Sequence, residues 1–567
     1  MKMLIRYLRP YRTLIIVCLL FKTVASFCEL FIPALLGYMI DDVVPREDLA
    51  AVLRAGGAML FLALMTLLFH VLGNRTAAKA SGYVAHDLRR DLFLKTAALD
   101  AEAIDAYGTP SLTSRLTTDS YHVTAFLARL FRLGVKAPLM LIGGVVITLI
   151  LDARLAVALI ATLPLVSLTV WFVTRRATPL YYEEQTVLDE MVRKVDETAS
   201  GIRVIKALSK TEYETEAFCR INHRLEKKEV EAGSILSLTK PLCDLLLNLG
   251  LCAVILIGTL LAAHTGFHAA GTLLSFMTYF TVILNNMIMM TRIFIQLSRC
   301  MASAGRIAEV LSEESRMPVL PPSESREEGA YLRFEDVTFS YKKKAPDLRD
   351  VSFSLGRGQT LGVIGATGSG KSTLISLLLR LYDPDKGRIL LDGRDIRSYP
   401  YEELRKKFGV CFQYDFIPSA TLAENVVFFR DFSEEKLFDA LDTAQASSFA
   451  LGLPEGVDSH IDGRGANLSG GQKQRLTLAR ALYGSPEILI LDDATSALDY
   501  KTDRDLRSAL KKREKTTAIL VSQRIATVKD ADRILFLSDG RITGNGTHEE
   551  LMATHAEYRA IAEMQGR

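Results

Sequence analysis

Residues 360–372 read Thr360-Leu-Gly-Val-Ile-Gly365-Ala-Thr-Gly-Ser-Gly-Lys371-Ser372. From Gly365 the run matches the phosphate-loop spacing G-x-x-x-x-G-K-[ST]. It follows a short buried-strand pattern and opens a helix, and that context gives the motif its meaning. Gly365, Gly368 and Gly370, with Thr367 and Ser369 between them, let backbone N–H groups wrap phosphates. Lys371 is placed to reach the β- and γ-phosphates and the Ser372 hydroxyl to ligate Mg²⁺. The helix that starts there, with Thr373 in its first turn, adds its dipole. Downstream, Ile488-Leu-Ile-Leu-Asp492 reads as a buried strand ending in a carboxylate, which sets Asp492 beside that metal through water. ATP and Mg²⁺ are therefore the expected ligands.

The loop sits late in a chain of 567 residues, too long for one ordinary domain. Around it, strand-like runs near 332–339, 360–364, 488–491 and 517–521 alternate with helical segments, so residues 330–567 read as one α/β domain. Residues 312–329 have a linker composition, with Glu313, Glu314, Glu324, Glu327 and Glu328 among Pro318, Pro321 and Pro322. Residues 1–311 differ again. Long apolar segments at roughly 13–40, 49–73, 133–151, 155–174, 235–263 and 270–295 each approach the ~20 residues that cross a bilayer core. The expected fold is six transmembrane helices with long cytosolic extensions, plus an α/β P-loop domain.

Lysine and arginine set the orientation. They crowd residues 74–132 and 174–234, whereas 41–48, 151–154 and 264–271 are short and poor in base. The basic segments are thus cytosolic, both termini lie inside, and the external loops are small. The basic start (Lys2, Arg6, Arg9, Arg12) leads into an apolar stretch too long for a signal core, so it reads as a first span rather than a cleavable signal. Residues 83–99 and 188–208 carry helical spacing, so the cytosolic segments read as rods extending the spans, with tips near 106–115 and 200–208.

Composition excludes several classes. Lys and Arg total 68 against 65 Asp and Glu, a net charge of +3 that marks no nucleic-acid binder. Hydrophobic residues at 49% exclude general disorder. Cys18, Cys28, Cys219, Cys243, Cys252, Cys300 and Cys411 are scattered without a CxxC pair, which excludes a disulfide scaffold and gives no zinc spacing.

Leu468-Ser-Gly-Gly-Gln472, between the phosphate loop and Leu491-Asp-Asp493, resembles the signature of ABC transporter nucleotide-binding domains. Spans followed by one such domain resemble a half-size exporter of the type IV, multidrug-exporter-like fold. The resemblance covers nearly the whole chain. It implies that Tyr341 stacks on adenine and that Gln413 ligates Mg²⁺ and senses the membrane half. Ser469, Gly470, Gly471 and Gln472 would close over ATP held by another subunit, and Ser496-Ala-Leu-Asp499 would cross between the two sites. The tips at 106–115 and 200–208 would be coupling helices. One P-loop and one signature per chain then imply a second ABC half-transporter as partner.

The chain departs from the family at three places. Asp493 stands where the family usually has the Glu that polarises the attacking water, and it is one methylene shorter. Gln523, in Leu520-Val-Ser-Gln-Arg524, stands where a His contacts the γ-phosphate; Gln donates a hydrogen bond but carries no proton near pH 7. Gly463 stands where exporters often have Glu. The first two resemble the degenerate subunit of bacterial heterodimeric exporters, with Lys371, Asp493 and Gln523 forming a weakened catalytic set. The expected function is the ATP-binding and permease subunit of an exporter of small amphipathic, multidrug-like compounds in the cell membrane. Alternatives are a homodimeric lipid or peptide exporter and a nucleotide-gated membrane regulator. In the spans, Lys22 and Glu29 share a helix face, where they either line a transport cavity, lie near helix ends or pair with each other. Asn285, Asn286, Met287, Met289 and Met290 lie on the sixth span, most of them in packing or lipid-facing roles.

Overall fold

The computed structural model describes residues 2–265, 270–314, 317–321, 330–341, 345–413, 416–513 and 515–565. The chain divides into two compact units, Met1–Ala98 with Thr109–Glu313, and Leu99–Gly108 with Glu314–Arg567.

The first unit is helical. Six segments among the described residues are long and apolar enough to cross a membrane: Met3–Arg46, Leu49–Ala97, Thr109–Leu151, Ala153–Ala207, Thr211–Leu260 and Ala270–Met290. The helix Ala153–Ala207 has 55 residues. At 1.5 Å per residue it is about 80 Å long, far beyond the ~30 Å hydrocarbon core, so its polar half continues the span as a rod. Lys194–Glu214 (2.5 Å), Arg224–Glu190 (2.6 Å) and Lys228–Glu183 (2.7 Å) tie this rod to the antiparallel helix Thr211–Ser237.

The first expected tip is corrected, and the second lies where expected, at the end of its rod. The first polar segment turns around a short helix, Ala101–Tyr107, rather than 106–115; Asp100 caps it through the Ala103 N–H (2.8 Å). Gly108, at φ 75°, ends it. Residues 200–208 form no separate helix but the end of Ala153–Ala207. Ser209 takes the left-handed conformation (φ 54°) and the Lys210 N–H returns to the Ile205 carbonyl (2.9 Å), closing the rod directly into the next helix. Within the third span, expected at roughly 133–151, the helix restarts at Lys136. Pro138 has no N–H for the carbonyl four residues back, so Ser120–Leu133 stops and Lys136–Leu151 restarts with the proline in its first turn.

Lys22 and Glu29 do not pair with each other. Lys22, 3% exposed, donates to Asn74 Oδ1 (2.8 Å) and lies 3.4 Å from His70 Nδ1. The other face of that imidazole, Nε2, is 3.2 Å from Glu29, which also accepts from Lys136 (2.8 Å). The histidine ring thus separates the two charges and joins three helices. On the sixth span, Asn286 is buried and donates to the Val282 carbonyl, and Met287 packs beside Leu284 and Val170.

The second unit is α/β. Strands β1 (Leu332–Phe339), β2 (Leu348–Leu355), β4 (Lys386–Leu391) and β5 (Arg394–Asp395) form an antiparallel sheet in the order β2-β1-β4-β5. The larger sheet contains β3 (Thr360–Gly365), β6 (Phe408–Cys411), β9 (Ile488–Asp492), β10 (Thr517–Val521), β11 (Arg533–Ser538) and β12 (Arg541–Gly546), in the order β12-β11-β3-β10-β9-β6. All its pairings are parallel except β11 with β12. A two-residue pair, β7 (Ala420–Thr421) and β8 (His460–Ile461), lies apart from both sheets. β3, β9 and β10 are near-continuous apolar runs because a parallel sheet is covered on both faces. Of the expected linker, residues 315–316 and 322–329 lie outside the described residues. Met317 is buried, and the fully buried Arg380 guanidinium donates to the Pro318 carbonyl (2.8 Å).

Candidate functional site

Four neighbouring strands, β3, β10, β9 and β6, end at one edge of the parallel sheet, where α/β folds bind ligands. Each delivers one group of the site. After β3 comes the glycine loop and the helix Lys371–Leu378; after β10 come Ser522 and Gln523; β9 ends in Asp492 and Asp493; after β6 comes Gln413. A cleft of about 230 Å³ is lined by residues 367, 368 and 370–373 of the glycine loop and its helix. Gln413, Asp492, Asp493, Val521, Ser522, Gln523 and Asp347 complete the lining. The loop needs glycine at three points: Gly368 has φ 84° and Gly370 φ 103°, a Cβ on Gly370 would stand 2.6 Å from the Leu348 side chain, and one on Gly365 would stand 2.2 Å from the Leu537 carbonyl.

Lys371 donates to the Gly365 and Ala366 carbonyls (2.8 and 2.7 Å). Burial lowers its pKa, while Asp492 and Asp493 oppose that shift. Asp492 is raised above the ordinary aspartate range, first by burial and then by the charge of Asp493; Lys371 and Ser372 pull the other way. Asp493 takes a left-handed backbone (φ 51°), with its N–H held by the Val521 carbonyl (2.9 Å).

Two observations test the fit of a nucleotide and its metal. Ser369 Oγ is buried in the loop without a hydrogen-bond partner. Ser372, Gln413 and Asp492 bring hydroxyl, amide and carboxylate oxygens to one cleft, the hard donors that Mg²⁺ takes. Among the described residues no three His, Cys, Asp or Glu side chains cluster to hold a metal.

Not every expected residue lines this cleft. Tyr341 does not, but its N–H donates to the Asp347 carboxylate (3.0 Å), which does. Its ring stands edge-on to Tyr382, with centroids 5.0 Å apart. Ser469 to Gln472 lie outside the lining as well. Ser469 caps the helix Gly470–Tyr483, and the Gln472 amide reaches back to the Ser469 N–H (2.8 Å), so Gln472 is occupied by its own helix. Sequence reading missed Asp347, Ser522 and Gln474. Gln474 bonds Ser496 Oγ (3.0 Å) and the Ala497 N–H (2.9 Å), tying the signature helix to the 496–499 loop. No spacing rule signals any of these. Gly463 lies in a short 3₁₀ turn beside Arg464, which takes φ 60°.

Comparison with known proteins agrees with this layout. Residues 15–287 match the ABC transporter transmembrane region and residues 348–496 the ABC transporter domain. The uncharacterized ABC transporter ATP-binding protein YfiB of Bacillus subtilis is 34% identical, across 100% of this chain and 98% of that protein. This chain belongs to the ABC transporter family. An ATP-dependent lipid A-core flippase of Nitrosococcus oceani is 30% identical over 100% of the chain and 95% of that protein. The solved structure of a bacterial Atm1-family ABC exporter with ATP bound shares the fold, with a TM-score of 0.83, 23% identity and 99% coverage of both chains. The ABC transporter is therefore a multi-pass membrane protein with an ATPase domain of the kind that couples hydrolysis to transport.

Proposed function

We propose that this ABC transporter chain is the ATP-binding and permease half of an exporter, paired with a second half-transporter, and that its own hydrolytic site is impaired. The observation that carries the reading is that Asp493 and Gln523 share the cleft with Lys371. The Asp493 carboxylate falls over an ångström short of a glutamate's reach, and a misplaced general base loses about 10²–10⁴ in rate. Gln523 offers a hydrogen bond but no proton. The binding side is complete: Tyr341 and the 365–373 loop hold ATP. Ser372, Gln413 and Asp492 hold Mg²⁺, which when bound neutralises phosphate charge.

The intact Ser469–Gln472 signature, lying outside its own cleft, completes the partner's site. Residues 1–311 form the transmembrane domain, 312–329 the linker and 330–567 the nucleotide-binding domain. ATP sandwiched between two chains closes the cytosolic side and opens the outer one. The basic 74–132 and 174–234 segments support a cell-membrane location with both termini cytoplasmic. The substrate class is small amphipathic compounds taken from the lipid phase. The flippase relative favours a second reading, in which the cargo is itself a lipid.

The test is steady-state ATPase activity of the purified chain, alone and coexpressed with candidate half-transporters. The expected result is low activity alone, rising about 10²-fold or more with a partner carrying Glu and His at the positions of Asp493 and Gln523. Ordinary exporter turnover by the chain alone would instead establish a homodimeric pump. Labelled phospholipid and an amphipathic dye, followed across reconstituted vesicles, separate the two cargo readings.

A further inference from the structure

The loop that carries Gln523 has few fixed points. The Ser522 N–H bonds the Val363 carbonyl (3.1 Å), and the Arg524 N–H bonds Ser522 Oγ (3.1 Å). The Thr527 N–H bonds the Arg524 carbonyl (3.1 Å), and two further bonds come from a residue about forty positions away. Gln565 Nε2 donates to the Gln523 carbonyl (2.8 Å), and Gln565 Oε1 accepts from the Ile525 N–H (2.7 Å). One primary amide thus grips the backbone on both sides of Arg524, an arrangement that needs both its donor and its acceptor. The grip has a firm base. Gln565 ends the helix Ala556–Gln565, whose Tyr558 is fully buried, hydrogen-bonded to His548 (2.7 Å) and edge-on to Phe536. Ile561 and Ala562 pack against the same core. Arg524, held between the two bonds, donates to the Ser496 carbonyl (3.3 Å), so the grip also sets the approach to the 496–499 loop.

We propose that Gln565 is a positioning residue for Gln523: its amide fixes the backbone from which the Gln523 side chain meets the γ-phosphate. The inference rests on the reading of Gln523 as a γ-phosphate contact. Its distinctive consequence is a split between chemistry and affinity, because Gln565 does not itself line the cleft and holds only the backbone of Gln523.

The experiment is single-turnover hydrolysis of prebound [γ-³²P]ATP by the purified full chain, followed over hours so that slow turnover is still read. ATP dissociation constants and thermal midpoints are measured alongside. Gln565→Ala is expected to slow hydrolysis about tenfold, with ATP affinity within about twofold and an unchanged midpoint. Gln565→Glu keeps the acceptor for Ile525 but loses the donor for Gln523, and is slowed as well. In a Gln523→Ala background Gln565→Ala adds nothing, because the group it positions is gone. Gln565→Ala at wild-type rate, while Gln523→Ala is slow, overturns the positioning role. Equal slowing in both backgrounds overturns it too, since the residue then acts elsewhere. Gln523→Ala at wild-type rate instead overturns the γ-phosphate reading on which the proposal stands.

Discussion

On the proposed reading, one methylene separates Asp493 from the glutamate that the hydrolytic step calls for, and the backbone cannot make up the difference. Its N–H is held by Val521 on the neighbouring strand and its φ is fixed at 51°, so the reach of the carboxylate is set by side-chain length. Asp493→Glu is therefore expected to raise steady-state ATPase activity by about 10–10²-fold, and Gln523→His to raise it further. An unchanged rate in the double variant would mean that water is polarised from another position. The neighbouring Asp492 gives a pH signature. Its pKa is raised by burial and by Asp493, so on acidification it takes up a proton above the ordinary aspartate range. On the proposed reading it is the deprotonated form that would hold Mg²⁺. Mg²⁺-dependent ATP affinity should therefore weaken as pH falls through that raised value, and Asp493→Asn, which removes the neighbouring charge, should move the weakening to lower pH. Titrating labelled ATP with and without Mg²⁺ measures both effects. These strand-end groups were legible because a buried strand places its last residue at the sheet edge. Asp347 and Gln565 were not, since they reach the site through tertiary contacts that no local pattern encodes.

Elements show a similar limit. Hydropathy revealed where chain crosses lipid, because only apolar residues satisfy that solvent. It gave the polar continuations less sharply, since a solvated rod accepts almost any helix-forming residue: the first turn fell at Ala101–Tyr107 rather than 106–115, while the second, at 208–210, closed the rod at its expected tip. Pairings between helices were likewise hidden. Asp119, 1% exposed, accepts from Arg306 Nε (2.8 Å) and Ser303 Oγ (2.8 Å), joining segments far apart in sequence. Arg306→Ala leaves that carboxylate buried beside one hydroxyl, and is expected to destabilise the first unit by about 3 kcal/mol, read as a drop in thermal midpoint. The helices Arg12–Tyr38 and Ala270–Ser312 approach so closely that a Cβ on Gly271 would stand 2.3 Å from the Gly37 carbonyl. Gly271→Val should accordingly lower the midpoint, whereas a substitution at Gly57, with open space around it, should not.

At the scale of the molecule, the unequal halves of the ATP machinery point beyond the single chain. The cleft holds the phosphate loop and the carboxylates, while the Ser469-capped helix opens elsewhere, its Gln472 amide spent on its own first turn. In a heterodimer these halves serve different nucleotides, so damage to each should have unequal effects. Gly470→Asp tests the signature alone. A Cβ at Gly470 meets its nearest neighbour at an ordinary 3.7 Å, and a carboxylate in the first turn suits the helix dipole, so the chain itself tolerates the change. Facing a γ-phosphate, the same carboxylate is repulsive. In a complex with a partner carrying Glu and His, Gly470→Asp should cut ATPase activity about 10²-fold, because it blocks the competent site. Lys371→Ala in the same chain damages only the slow site and should leave most of the turnover. In a homodimer both sites contain both damaged parts, and the two variants would be equally inactive. The ratio of their ATPase rates therefore reads the pairing directly, without knowledge of the transported compound.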